Sequence, residues 1–279
     1  MKSCRVASIV AIGAVGAAGI VEACGGDRPA APPVVAAPAA ADKDKDKKEE
    51  DALEVAFFEG RTKLGGPPCS RLFIVAAKGT VTLADDVLKT GDVMIIQYPD
   101  DLYADADGLA LRVVQPFACS LRDKPGPVVS LRRAHLAREL TWAGGRMHAH
   151  LDVGADVSPD LYLGRLEGTA AVGEHRHETS AEILVAIEAA GTFTIDGKAS
   201  RLGPRQIVTV PKDTPHAWTP DPGTNLVAVQ LYAPPGPERR FLMLDAAERD
   251  AGAPKGWCDP PFAIDANGHR KYHVGCPGL

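Results

Sequence analysis

From Leu53 onward the hydrophobic residues fall in short runs. Stretches of four to eight Val, Ile, Leu and Thr residues alternate with Gly, Pro and Asp clusters, and no long helical period appears. This pattern predicts an all-β fold made of many short strands, in a barrel or a sandwich. Before Leu53 the pattern is different. Residues 6–21 are apolar and rich in Ala and Gly, residues 28–41 are almost entirely Pro, Ala and Val, and residues 42–51 are charged throughout. The last two stretches cannot bury enough surface to offset the entropy of ordering them, so an extended, solvated tether is expected there.

A repeat lies within the β-rich part. Gly79 and Gly91 stand twelve apart, as do Gly191 and Gly203, and the two pairs are offset by 112. At the same offset Thr80 matches Thr192, Thr82 matches Thr194, Ile95 matches Ile207, Pro99 matches Pro211 and Asp101 matches Asp213. Two tandem β units are expected, over 53–127 and 128–246, followed by a tail over 247–279 rich in Pro and Gly. The tail carries the turn signal Asp265-Ala-Asn-Gly268, which predicts a small hairpin.

Chemistry concentrates in the second unit. His175 and His177 are one residue apart, so on a strand they share a face. Glu182 follows a polar turn and opens the next apolar run, and His216 follows a Val-Pro segment. Three imidazole nitrogens and one carboxylate oxygen suit one divalent transition ion, and manganese, iron, nickel, copper and zinc all fit. Counting back 112 from these residues reaches Lys63, Gly65, Ser70 and Ala104, none of them a matching ligand. Only the second unit is expected to hold metal, with a structural role for the first. His148 and His150 also form an H-x-H pair, but no glutamate answers them, and a solvated strand face is expected.

The motif resembles that of the cupin superfamily. Gly168, Glu174-His175-Arg176-His177, Glu182 and Gly191-Thr-Phe-Thr-Ile-Asp-Gly197 are similar to its first motif, and Gly203 through Pro211, Pro215 and His216 to its second. Two positions depart from it: Ala189 and Asp213 stand where glycine is usual. The resemblance implies two tandem jelly-roll barrels, a bicupin whose N-terminal unit is degenerate. It also implies a metal site at His175, His177, Glu182 and His216. It does not select a reaction, because cupins include dioxygenases, decarboxylases, isomerases and binders. The expectation is a metal-dependent enzyme acting on a small organic acid, sugar or aromatic compound; the alternative is a non-catalytic metal or small-ligand binder. Trp218, two residues after His216, is expected to wall the cavity. Arg165 is expected to anchor an anionic substrate if its strand runs without a bulge.

The N-terminus resembles a bacterial lipoprotein signal. Lys2 and Arg5 precede the apolar run, and Val21-Glu22-Ala23-Cys24 is similar to a lipobox. This implies a signal peptide over 1–23, a lipidated Cys24, a tether over 24–52 and anchoring in the cell envelope, with Gly25 favouring the outer membrane. Membrane contact would be through the lipid alone. Of the six cysteines, Cys69, Cys119, Cys258 and Cys276 are then left for disulfides, with three possible pairings. The local pairing, Cys69 with Cys119 and Cys258 with Cys276, is expected. A net charge of −5 and the lack of a basic stripe argue against nucleic acid. A monomer is expected to suffice, because two barrels can pair within one chain.

Overall fold

The computed structural model describes residues 9–11, 53–119, 127–153, 158–250, 262–264 and 270–272. The expectations for Cys24, the tether, Cys258 and Cys276 lie outside the described residues. Among the described residues the fold is all-β apart from one α-helix and one 3-10 turn. It divides into two compact units between Leu136 and Ala137.

The first unit contains β1 (Ile9–Ala11), β2 (Glu54–Leu64), β3 (Ser70–Leu83), β4 (Asp86–Lys89), β5 (Val93–Gln97), β6 (Leu102–Pro116) and β7 (Val128–Arg132). They form one sheet in the order β1-β2-β6-β3-β5-β7, with β4 also paired to β3. Because β7 pairs with β5, this unit extends past residue 127. One buried cluster gathers Leu72, Ile74 and Ala76 from the first half of β3, then Val81 and Leu83 from the second. The switch from even to odd positions follows the register shift between Ala76 and Lys78, since one extra residue flips every later side chain. Gly79 and Gly108 face each other across β3 and β6, both with positive φ, and a Cβ on Gly79 would stand 2.1 Å from the Asp107 carbonyl oxygen. The disulfide Cys69–Cys119 forms as expected.

The second unit contains β8 (Arg138–Trp142), β9 (Met147–Val153), β10 (Tyr162–Gly168), β11 (Val172–His175), β12 (Ala181–Glu188), β13 (Gly191–Ile195), β14 (Lys198–Leu202), β15 (Ile207–Val210), β16 (His216–Pro220) and β17 (Leu226–Ala233). One sheet runs β15-β12-β17-β10-β9-β8 and the other β11-β16-β13-β14. Leu184, Ala228 and Tyr232 of the first meet Phe193, Leu202 and Trp218 of the second in one core.

The repeat extends to strand register. Gly191 pairs with Pro220 and Phe193 with Trp218, as Gly79 pairs with Gly108 and Val81 with Ala106. Val185 pairs with Ile207 as Phe73 pairs with Ile95. The first unit runs straight through β3 and β6 where the second breaks into β12 and β13, and β16 and β17. One detail differs from the offset of 112: opposite Ala104 lies Thr62, not Lys63, because β11 carries a register shift before His175.

After β17 comes α1 (Arg239–Asp250), an element absent from the β-only expectation, and it crosses the boundary expected after residue 246. Its apolar residues Phe241, Leu242 and Leu244 are clustered rather than spread along a stripe, so no helical period stands out. Carboxylates hold it instead. Asp245 accepts the Thr141 N–H at 3.1 Å, and Glu248 accepts those of Gly144 and Gly145 at 3.1 and 2.9 Å. In the tail, β18 (Phe262–Ile264) and β19 (Arg270–Tyr272) pair antiparallel, in keeping with the expected hairpin.

Asp92 is the polar fastener of the first unit. Buried, it accepts the Lys89 and Ala134 N–H groups at 3.0 and 2.8 Å and the Arg133 guanidinium at 2.7 Å. Burial opposes its ionisation, but these donors outweigh burial and hold its carboxyl below the usual carboxylate range. The stabilisation is therefore present above the unfolded value of about 3.9 and is lost as pH falls through the lower folded value. Asp92→Asn is expected to cost about 1.5–3 kcal/mol at neutral pH. In urea titrations the gap between wild type and variant should close below pH ~4.

Candidate metal centre

Four side chains converge between the two sheets of the second unit. Glu182 opens β12, while His175 on β11 and His216 on β16 stand directly opposite each other. His177 lies just past the end of β11. The donor atoms of the four all lie within 4.8 Å of one another. Two ligands trans across a transition ion are separated by about 4.2 Å, twice a typical bond length, so the cluster has the dimensions of a coordination shell. Imidazole centroids are 4.2 Å apart for His175 and His216, and 5.0 and 5.1 Å from His177 to each.

Backbone geometry fixes which ring nitrogens face inward. Nδ1 of His175 donates to the Gly173 carbonyl and Nδ1 of His216 to the Thr214 carbonyl, each at 2.9 Å. With that proton committed, each ring turns Nε2 toward the shared point, the orientation that a metal-binding imidazole requires. Nε2 of His216 lies 2.9 Å from Glu182 Oε2 and yet, being buried, makes no directional hydrogen bond. An orphaned nitrogen aimed at a carboxylate and two other imidazoles is what an N3O ion site leaves when described without its ion. The residues fit the group.

The electrostatics agree. Burial is the largest influence on Glu182 and opposes its charge, but hydrogen bonds from His177 and Gln230 and the adjacent His216 imidazole together hold the carboxyl well below the usual range. Burial holds the His175 imidazole down to about 4, so it is neutral at pH 7. Burial also acts against a charged His216, but the adjacent Glu182 carboxylate more than offsets it and lifts His216 above its ordinary value. A proton and a metal ion thus compete for one nitrogen.

Two turns frame the site. Asp213 occupies the left-handed region with φ of 58°, the reason glycine is usual there, and its N–H donates to the His177 carbonyl at 2.7 Å. Gly191 lets the Trp218 ring pack against the β13 backbone, since a Cβ there would lie 2.4 Å from the ring.

A cavity of about 230 Å³ opens onto the four residues. Its walls are mainly apolar, among them Trp142, Leu166, Leu184, Phe193, Trp218 and Leu226. Trp218 is thus placed where the sequence put it. Arg165 is not among the lining residues: it is bonded to Glu167 on β10. Leu166 lines the cavity, so Arg165 belongs to the opposite face of the strand, and the chain leaves β10 before resuming in β11. His148 is bonded to Glu139 at 2.8 Å and to the Gly145 carbonyl at 3.0 Å, away from the site.

The sequence reading missed three residues around the centre. Gln230 donates from Nε2 to Glu182 Oε1 at 2.6 Å, fixing the carboxylate. Its signal was available: one polar residue in the otherwise apolar run Leu226–Ala233, in phase with Leu226, Ala228 and Tyr232. Tyr232 lies opposite Glu182 and edge-on to His177, and burial raises its phenol well above the ordinary value, so it stays protonated. Arg240 of α1 reaches the cavity with no sequence signal to mark it.

Residues 163–228 match the family model described as a cupin domain. The vicilin of Corylus avellana is similar in structure, with 13% identity, a TM-score of 0.50, and coverage of 69% of this chain and 77% of that one. The fold is that of the cupins. Oxalate decarboxylase of Bacillus subtilis, described with Mn(II) centres, is 13% identical over 73% of this chain and 76% of its own, with a TM-score of 0.49. Among curated proteins no sequence matches this chain.

Gln230→Leu is expected to leave the cupin fold intact and to weaken divalent-metal binding about 10–100-fold, since it removes the group that orients a ligand. Competition with a chromophoric chelator, alongside circular dichroism, checks this.

Proposed function

We propose that this protein is an exported, lipid-anchored cupin that holds one divalent transition ion through His175, His177, Glu182 and His216 and acts on a small organic molecule in the adjoining cavity. The observation that carries the metal assignment is the buried His216 Nε2, left without a directional partner at the convergence of two other imidazoles and a carboxylate. A bound ion would polarise a coordinated carbonyl or carboxylate and acidify coordinated water. The protein's own residues orient and enclose. Gln230 fixes Glu182, the Gly173 and Thr214 carbonyls fix His175 and His216, and the aromatic walls exclude water. In the first unit Ser70 is bonded to the Pro67 carbonyl and Lys63 is paired with Asp101, which supports reading that unit as a degenerate, structural cupin. The lipobox-like Val21–Cys24 segment supports export and anchoring in the envelope, with the outer membrane as the destination.

A second reading, a non-catalytic binder of metal or small ligand, has an observation in its favour. Among the described residues the cavity walls offer no carboxylate or imidazole beyond the four candidate ligands, so no separate general acid or base of that kind stands ready among them. Purified protein should contain close to one equivalent of a divalent ion by elemental analysis, and His177→Ala should lose it with its circular dichroism spectrum unchanged. Turnover of a panel of carboxylates, sugars and catechols that disappears in His177→Ala supports the enzyme. Saturable binding without turnover selects the second reading, and a metal-free protein under all loading conditions rules out both.

A further inference from the structure

The helix α1 and the segment before it contribute Pro237, Arg240, Phe241 and Leu244 to the cavity wall. The helix is held in place by Asp245 and Glu248 on backbone N–H groups and by Phe241 stacked on Trp142 at 5.2 Å. Arg240 is therefore carried on a fixed element. Among the described residues no ion pair or hydrogen bond engages its guanidinium, whereas Arg112, Arg133, Arg201 and Arg249 each have a carboxylate partner. Arg240 is solvent-exposed and also lines the cavity that opens onto the four candidate ligands.

Charge then defines what fits. Among the described residues Glu182 is the one carboxylate on the cavity wall, so a divalent ion and Arg240 together would leave the space with excess positive charge. An anion is favoured there, and the low-dielectric walls strengthen the preference. The remaining wall is apolar, and the volume lies below the ~300 Å³ at which drug-sized pockets begin.

We propose that the cavity takes a small carboxylate with an apolar body, its carboxylate paired with Arg240. This rests on the metal-site reading above and narrows it. Arg240 is the residue that selects for the acid.

Mandelate, mandelamide and phenylacetate serve as probes, titrated by calorimetry into the full chain, its Arg240→Gln and Arg240→Lys variants, with metal content measured on each sample. Wild type should bind mandelate and phenylacetate saturably, and mandelate at least tenfold more tightly than mandelamide. Arg240→Gln should lose that advantage over mandelamide without changing metal content or mandelamide affinity, and Arg240→Lys should recover part of it. Equal binding of mandelate and mandelamide by wild type, an unaltered mandelate affinity in Arg240→Gln, or no saturable binding of any probe would overturn the proposal. A metal-free protein that still prefers mandelate through Arg240 would sink the metal reading and leave this assignment standing; a metal-loaded protein indifferent to Arg240 would do the reverse.

Discussion

The second unit is organised around a buried carboxylate. Placing the Glu182 charge in a barrel interior is costly unless several donors surround it. The His177 imidazole and the Gln230 amide bond to it and the His216 imidazole stands 2.9 Å away, and each comes from a different stretch of chain: the segment after β11, β17 and β16. The apolar core brings those stretches together, and the carboxylate in turn fixes what they may carry at that depth. The position of the candidate ion follows from meeting this one requirement.

Much of this was legible in the chain before folding. The period-two spacing of His175 and His177, the carboxylate at the start of an apolar strand and the later histidine encode a convergence that the sheets deliver. The repeat of glycines and turn residues extends to cross-strand pairing, because hairpin turns and close backbone approaches set register more strictly than the side chains between them. Arg165 shows the limit of the method. Its phase was counted along a continuous strand, but the chain leaves the sheet after Gly168 and re-enters at Val172, so periodicity cannot be carried across. Gln230 was readable in principle, as a polar residue on an inward phase. The helix was not: it is anchored by Asp245 and Glu248 on the backbone of a distant hairpin, a tertiary contact with no local pattern.

The two units carry the same strand pairing with different residues at the candidate ligand positions. Strand pairing is preserved at an offset of 112 between β13 and β16 on one hand and the halves of β3 and β6 on the other. What differs lies at a few inward positions, where Ser70 and Ala104 stand in place of Glu182 and His216. A buried serine can be satisfied by a nearby carbonyl, as Ser70 is by Pro67, whereas a buried glutamate needs a ring of donors around it. Small neutral residues at these positions free a barrel from that demand, and a serine and an alanine cost the first unit nothing in topology.

The backbone hydrogen bond from the Asp213 N–H to the His177 carbonyl carries a mechanical consequence. Because the turn before β16 is hydrogen-bonded to the segment after β11, the His177 and His216 supports form a single clamp rather than two independent arms. Ion capture then requires little rearrangement of the main chain, and the energy released on coordination is not spent on assembling the jaw. Such a scaffold resists swapping one kind of ion for another of different preferred shape, so discrimination between ions would reside in the stiffness of a turn as much as in the identity of the ligands.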